Sequence, residues 1–327
     1  MNRLRDVIDR FKGKRIVVVG DLVADVFVYG EISRISREAP VLILNHRETQ
    51  VVPGGGANAI HNLWALGAKP MSVGVVGDDA EGQQLLGYFS DLGIDVSGIA
   101  VAKSLRTPSK MRILAGAVHS QRQQIVRLDS GTPLEDENIR NAVKRKLKLA
   151  LKEADALLIS DYGYGLATPE IISNIRRRSL TATLDSRFSL MNFCGMTAAT
   201  PNEPEVEAAL GISIGNDQKK LEWAGRTLLR RLKHDAVLIT RGKDGMALFE
   251  RAKKTAHIPI HGSDEVADVT GAGDTVIATF TLALAAGASH YQAAQLANYA
   301  GGIVVMKHGT RPVTHDELVE AVNGEAP

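Results

Sequence analysis

Ile16-Val17-Val18-Val19-Gly20-Asp21 carries the architecture: four β-branched or apolar residues in a row, closed by a glycine and an aspartate. A strand that is apolar at every position, not at alternate ones, has to be covered on both faces. The same unit recurs along the chain. Met71 to Val76 ends at Gly77-Asp78, Ala156 to Ile159 at Ser160-Asp161, Thr181 to Leu184 at Asp185, and Ala236 to Ile239 at Thr240-Arg241-Gly242. Helical patterns separate these runs. The fold class is therefore α/β, a doubly wound, mostly parallel sheet with helices on both faces. Such sheets bind ligands beyond the carboxyl ends of their strands, where these Asp and Gly residues sit.

Two stretches, approximately 25–52 and 106–129, break that rhythm. Asp25 to Val52 alternates (Val26, Val28; Val41, Ile43) and reads as two or three strands. Lys110 to Asp129 reads as a hairpin turning near Ala117 to Gln121. Together they predict a small separate β-sheet, a lid, inserted in a single domain that spans 1–327.

The 327 residues are 44% hydrophobic and 23% charged, ordinary globular values that argue against disorder. Lys+Arg 39 against Asp+Glu 37 leaves +2, too balanced for nucleic acid or an anionic membrane as the main partner. The one cysteine, Cys194, excludes an internal disulfide and fits a reducing compartment. Met1 to Arg15 is patterned as an amphipathic helix with Leu4, Val7, Ile8 and Phe11 on one face, unlike a signal peptide. The longest uncharged, mainly apolar stretch, Thr275 to His290, is too short for a bilayer and reads as a buried helix. A soluble cytoplasmic protein is expected. The basic clusters Lys144 to Lys146 and Arg176 to Arg178 read as solvated helix faces, and no histidine pair has metal-ligating spacing.

The strongest chemical signal is Asp268-Val269-Thr270-Gly271-Ala272-Gly273-Asp274-Thr275, running directly into that apolar helix. Small residues admit a ligand close to the backbone, and a helix starting there aims free N–H groups at an anion. A carboxylate beside an anion hole is what phosphoryl transfer to a hydroxyl requires. An aspartate in a first helical turn also serves as a plain N-terminal charge. The chain has no G-x-x-x-x-G-K-[ST], no protein-kinase H-R-D or D-F-G set, and no G-x-G-x-x-G after Val19-Gly20.

Read with a second motif, the octet brings a resemblance. Pro53-Gly54-Gly55-Gly56-Ala57-Asn58-Ala59, then Leu66-Gly67 and Val76-Gly77-Asp78-Asp79, resembles the N-terminal signature of the ribokinase-like (PfkB) carbohydrate kinases, and D-V-T-G-A-G-D-T their C-terminal one. The likeness runs from Gly20-Asp21 to Gly309-Thr310. Ile35 to Pro40, Ile125 to Asp129, Ser160-Asp161-Tyr162 and Thr200-Pro201-Asn202 look like segments of those members that phosphorylate D-glycero-β-D-manno-heptose 7-phosphate for ADP-heptose and lipopolysaccharide. In bifunctional relatives that kinase is fused to a nucleotidyltransferase, for which this sequence leaves no room, so a kinase alone is expected.

The resemblance implies ATP, Mg2+ and, as a further option, a monovalent cation such as K+. It implies Asp274 as the general base and Gly271, Ala272 and Gly273 as the backbone anion hole. Asp25, taken to lie at the first strand's exit, would hold sugar hydroxyls with Gly54, Gly55 and Asn58. Asn202 and Glu205 match an N-x-x-E motif that places magnesium, through water, and the phosphates. Thr240, Gly242 and Gly245 match the nucleotide-side turn, Asn298 matches a position near the adenine, and the nucleotide would also pass Gly262 to Ala267. The lid implies a homodimer. Each assignment has a plainer rival: Asp25 paired with a lid arginine, Asn202 and Glu205 as helix caps, Gly242 and Gly245 as hairpin glycines.

Two departures bear on the acceptor. Gly163-Tyr164-Gly165 stands where the heptose kinases carry a lysine, and Asp185-Ser186-Arg187 where they carry D-P-K. Lys110, Arg112 and Arg127 offer a basic pocket for a sugar phosphate, or a solvated hairpin face. Another sugar, sugar phosphate or nucleoside is the alternative acceptor, and a catalytically silent sugar or nucleotide sensor the alternative class.

Overall fold

The computed structural model describes residues 3–116, 123–172, 180–262, 268–307 and 309–324. In chain order its strands are β1 (Arg15–Gly20), β2 (Leu22–Ile35), β3 (Leu42–Gly55), β4 (Lys69–Gly77), β5 (Ile99–Ala102), β6 (Ser109–Gly116), β7 (Gln123–Ser130), β8 (Ala156–Asp161), β9 (Thr181–Ser186), β10 (Ala198–Ala199), β11 (Ala236–Thr240), β12 (Met246–Glu250) and β13 (Ala256–Ile258). The helices are α1 (Arg3–Ile8), α2 (Gly56–Ala65), α3 (Ala80–Asp91), α4 (Glu137–Ala150), α5 (Pro169–Ile172), α6 (Glu203–Leu210), α7 (Gln218–Leu232), α8 (Ala272–Ala285), α9 (His290–Val305) and α10 (His315–Asn323).

Nine strands form the main sheet in the order β13-β12-β11-β10-β9-β8-β1-β4-β5. The pairs from β11 to β5 are parallel; β12 runs against them, and β13, antiparallel to β12, runs with them again. Each strand-like run quoted from the sequence is one of these strands. Their alternate residues feed two separate cores. Ile16, Val18 and Leu158 pack with α2, α3, α8 and α9 on one face. Val17, Val19, Leu157 and Ile159 pack with α4 and α7 on the other. The buried helix α8 carries threonines because they find partners: Thr281 Oγ1 lies 2.6 Å from both Thr183 Oγ1 and the Ile277 carbonyl.

The two irregular stretches form a second, four-stranded sheet, β3-β2-β6-β7. Asp25 to Val52 falls on two strands of 14 residues each, which extend past it at both ends, with bulges at Tyr29/Gly30 and Ile32/Arg34. Asp25 is thus not at the exit of β1. It is the fourth residue of β2, which starts only two residues after β1 ends. Because β6 runs parallel to β2, Asp25 lies beside Lys110 and Phe27 beside Arg112. Across β7, Asp129 faces Lys110 and Arg127 faces Arg112. The expected turn near 117–121, the 176–178 cluster and 263–267 fall outside the described residues. Among the described residues, no helix is long and apolar enough to cross a membrane.

Candidate active site

Asp274 sits in the first turn of α8 and is 3% exposed. Gly271 caps that helix with φ 79°, a left-handed conformation, and a Cβ there would lie 2.5 Å from the Asn58 amide nitrogen. Only glycine allows this approach. Asn58 Nδ2 donates to Asp274 Oδ2 at 3.0 Å and to the Gly271 carbonyl at 3.3 Å. Tyr162 Oη donates to Asp274 Oδ1 at 2.8 Å. Burial pushes the Asp274 carboxyl up to about 6, against the pull of these two hydrogen bonds and of the Lys110 ammonium. The group is ionised at neutral pH yet basic enough to take a proton from an alcohol in a transition state.

Of the three amides expected to form an anion hole, one has a partner within the turn. The Ala272 N–H closes a turn onto the Val269 carbonyl at 3.2 Å. Gly271 and Gly273 are the remaining candidates, and a Cβ added at Gly273 would meet open space. Asn58 is engaged too. Its amide is directed onto Asp274 and Gly271, and its oxygen accepts from Asn62 Nδ2 at 3.0 Å. Asn62 in turn accepts from Thr275 Oγ1 and the Val313 N–H, both at 3.2 Å. The side chain expected to hold a sugar hydroxyl thus has both its amide nitrogen and its oxygen in hydrogen bonds to protein groups.

Asp25 is 4% exposed. Its carboxylate accepts from Arg112 Nη1 at 2.8 Å and from Thr310 Oγ1 at 3.1 Å. Gly54 makes room for it, since a Cβ there would stand 2.7 Å from the Asp25 carboxylate; one at Gly55, where φ is 54°, would stand 3.1 Å from the Tyr162 ring. Gly54→Ala should therefore displace the Asp25 carboxylate and destabilise the fold by about 1–3 kcal/mol through overpacking. Urea denaturation checks this, and an unchanged midpoint would show that the carboxylate has room to move. Lys110 Nζ stands 4.4 Å above the Tyr162 ring, and its pKa is lowered by burial and by Arg187. Arg127 is not drawn in: it forms a bidentate pair with Asp129 at 2.8 and 3.0 Å on an exposed strand. A cavity of about 580 Å³ lies between Phe27, Tyr29, Gln50 and Leu114 of the second sheet and Arg311 and Thr310, the last of which bonds Asp25.

Of the expected nucleotide residues, Asn202, Glu205, Thr240, Gly242 and Gly245 lie at or just after the ends of β10 and β11. Asn202 bridges to Thr240 and caps α6 in a reciprocal box: Asn202 Oδ1 accepts the Glu205 N–H at 2.8 Å, and Glu205 Oε2 accepts the Asn202 N–H at 2.9 Å. Gly242 and Gly245 lie in the turn between antiparallel β11 and β12, and a Cβ at Gly245 would strike the Ile258 carbonyl. Asn298 of α9 donates to the Pro259 carbonyl at 2.8 Å, fastening that segment to the helix. Asp185, at the end of β9, is held well above the usual carboxylate range by desolvation and then by the charges of Glu205, Asp274 and Asp161. Burial raises Glu205 as well.

Sequence reasoning gave no role to Tyr162, Asn62, Thr310 or Asp185. Tyr162 and Thr310 fall inside motifs already quoted, yet only the packing shows what their hydroxyls touch.

The model of the pfkB family of carbohydrate kinases matches residues 14–317. The chain belongs to that family. It is an ATP-dependent sugar kinase with the ribokinase-like fold. The bifunctional protein HldE of Helicobacter hepaticus is 37% identical over 319 residues, 95% of this chain and 64% of that protein. HldE of Geobacter sulfurreducens is 40% identical over 310 residues, 93% of this chain and 62% of that one. The chain thus spans less than two thirds of the length of these relatives. Among solved structures, Arabidopsis thaliana ribokinase complexed with ribose and ATP superposes with a TM-score of 0.73 at 19% identity, covering 95% of this chain and 99% of that one. Escherichia coli phosphofructokinase-2 with fructose-6-phosphate gives 0.74 at 19%, with the same shares covered.

PfkB kinases use ATP with a divalent metal, and the residues here fit that pairing. The Glu205 charge helps hold Asp185 up, and burial raises both, as happens to carboxylates gathered in a site short of water. Among the described residues no three His, Cys, Asp or Glu side chains converge to hold a metal ion alone. A divalent ion would accordingly take most of its ligands from the nucleotide's phosphates and water, the habit of Mg2+.

Proposed function

We propose that this PfkB kinase transfers the γ-phosphoryl group of Mg-ATP to the anomeric hydroxyl of D-glycero-β-D-manno-heptose 7-phosphate, yielding the 1,7-bisphosphate for ADP-heptose and lipopolysaccharide synthesis. The observation that carries the reaction type is Asp274: a buried carboxylate, both oxygens held, at the glycine-rich start of α8. The identity to HldE proteins supports the heptose acceptor.

In this reading Asp25 holds acceptor hydroxyls while Asp274 accepts the proton of the attacking one. The acceptor oxygen forms its bond to the γ-phosphorus as the bond to the β–γ bridging oxygen breaks, and ADP departs. The amides of Gly271 and Gly273, with the α8 N-terminus behind them, face the charge that develops on the phosphoryl oxygens. Lys110, near enough to Asp25 and Asp274 to feel both charges, supplies a cation there, and Arg187 lies close enough to depress its pKa. Mg2+, when bound, neutralises phosphate charge. Asn202, Glu205, Thr240, Gly242, Gly245 and Asn298 line the nucleotide side. A homodimer through the second sheet is supported by Ile32, Ile35, Val41, Leu42, Val126 and Leu128, all large, apolar and exposed there.

Coupled ADP release with Mg-ATP, across heptose 7-phosphate, ribose, fructose, fructose 6-phosphate and adenosine, tests the acceptor. Turnover confined to the heptose phosphate is expected. Turnover on another of the five would keep the mechanism and reassign the substrate.

A further inference from the structure

Asp21, which the mechanism does not use, is 3% exposed and bonded to backbone alone. Its Oδ2 accepts the N–H groups of Tyr162 at 2.8 Å and Tyr164 at 3.0 Å, and its Oδ1 that of Leu166 at 3.4 Å. Alternate amides can converge on one carboxylate because the residues between them, Gly163 and Gly165, adopt φ 82° and 85°. This curl of backbone donors around an anion is a nest. A side chain at 163 would meet Phe188, and one at 165 the Leu134 carbonyl, so the curl is closely fitted as well as left-handed. The first residue of the loop, Tyr162, is the one that reaches Asp274.

We infer that Asp21 and Tyr162 form a positioning relay for the catalytic base: Asp21 fixes the 162–166 loop, and the loop fixes the Tyr162 hydroxyl on Asp274 Oδ1. The inference rests on the reading of Asp274 as the base. Asp274 Oδ2 is independently held by Asn58, so losing Tyr162 frees one oxygen and lets the carboxylate rotate. The groups facing Asp274 are Asn58 of α2, Tyr162, Lys110 of β6, Asp25 of β2, Asp185 of β9 and Glu205 of α6. Of these, Asn58 and Tyr162 are the direct hydrogen-bond donors, and Lys110 adds a favourable charge at longer range. A donor to a carboxylate favours its charged form. Removing the Tyr162 hydroxyl therefore leaves Asp274 protonated up to a higher pH.

The test is steady-state kinetics of Tyr162→Phe, Asp21→Asn and the double variant, with the acceptor that gives turnover. Tyr162→Phe should lower kcat roughly 10- to 100-fold, the range for one hydrogen bond to a charged group. The ATP KM should stay within about twofold, and the acid limb of the kcat/KM profile should move to higher pH. Asp21→Asn should lower kcat similarly, and the double variant should be no worse than the poorer single one, because both act through one contact. An unmoved acid limb in Tyr162→Phe, or multiplicative losses in the double variant, would overturn the relay. Tyr162→Phe decides the matter alone if Asp21→Asn does not fold. Asp274→Asn separates the two readings: turnover retained there removes the base itself, whereas a dead Asp274→Asn beside an unaffected Tyr162→Phe removes only the relay.

Discussion

Asp274→Asn is expected to lower kcat by about 10²–10⁴-fold, the usual contribution of a positioned general base, and at pH 8 to raise the thermal midpoint by a few degrees. The two effects share one cause. Burial holds the native carboxyl at about 6 against an ordinary value of 3.8, so ionising it in the fold costs free energy that ionising it in the unfolded chain does not. The group's contribution to stability is whole below its unfolded value and is lost as pH rises through about 6, so that at pH 8 the native protein bears a penalty on the order of 2–3 kcal/mol. Asparagine has no such penalty. Its oxygen can accept from Asn58 and its nitrogen can donate to the Tyr162 oxygen, so both present partners keep a bond. The stability gain should be largest at pH 8 and vanish toward pH 4. Thermal melts of both proteins at pH 8, 6.5 and 5, beside kcat, measure this. A variant no more stable at pH 8 would mean that water still reaches the carboxylate, and retained turnover would mean that another group takes the proton.

What was legible in the sequence follows from what each pattern can report. A run such as Ile16 to Val19 declares its environment at every residue, because two-sided burial excludes polar atoms from both faces. Strand β10, two residues long, has no pattern to show. The offset of Asp25 into β2 was hidden for another reason: Gly20-Asp21 looks like the end of a strand, and nothing local says that the chain enters a second sheet at Leu22. The site was legible in its membership more than in its wiring. Asn58 and Asp274 stand 216 positions apart, and glycine-rich motifs flagged both. That the amide is directed to the carboxylate depends on Asn62, Thr275 and Val313, which only the packing of α2 against α8 and against the segment before α10 brings together. The Arg127 pairing, by contrast, was within reach. Arg127 and Asp129 are two apart on a strand, so a period of two places them on one face with opposite charges.

Asp25→Ala should destabilise the fold by about 3 kcal/mol and abolish productive acceptor binding, and a second substitution separates those losses. Arg112 and Asp25 have side chains only 10% and 5% exposed. Removing the carboxylate strands a guanidinium with little water to solvate it, and breaking such a buried pair costs about 3–5 kcal/mol, more than the intact pair contributes. The remaining Arg112 contacts, the Lys110 carbonyl at 3.3 Å and the Phe27 ring at 5.3 Å, do not neutralise its charge. Methionine at 112 would keep the packing over Phe27 and remove that charge. Asp25→Ala with Arg112→Met should therefore recover most of the lost stability in urea denaturation. It should recover none of the turnover, since the acceptor hydroxyls still lack their carboxylate. Full stability in Asp25→Ala alone would show that the pair is solvated. Turnover restored in the double variant would mean that Asp25 serves only to neutralise a lid arginine, and the acceptor would then have to be held chiefly by the wall of Phe27, Tyr29, Gln50 and Arg311.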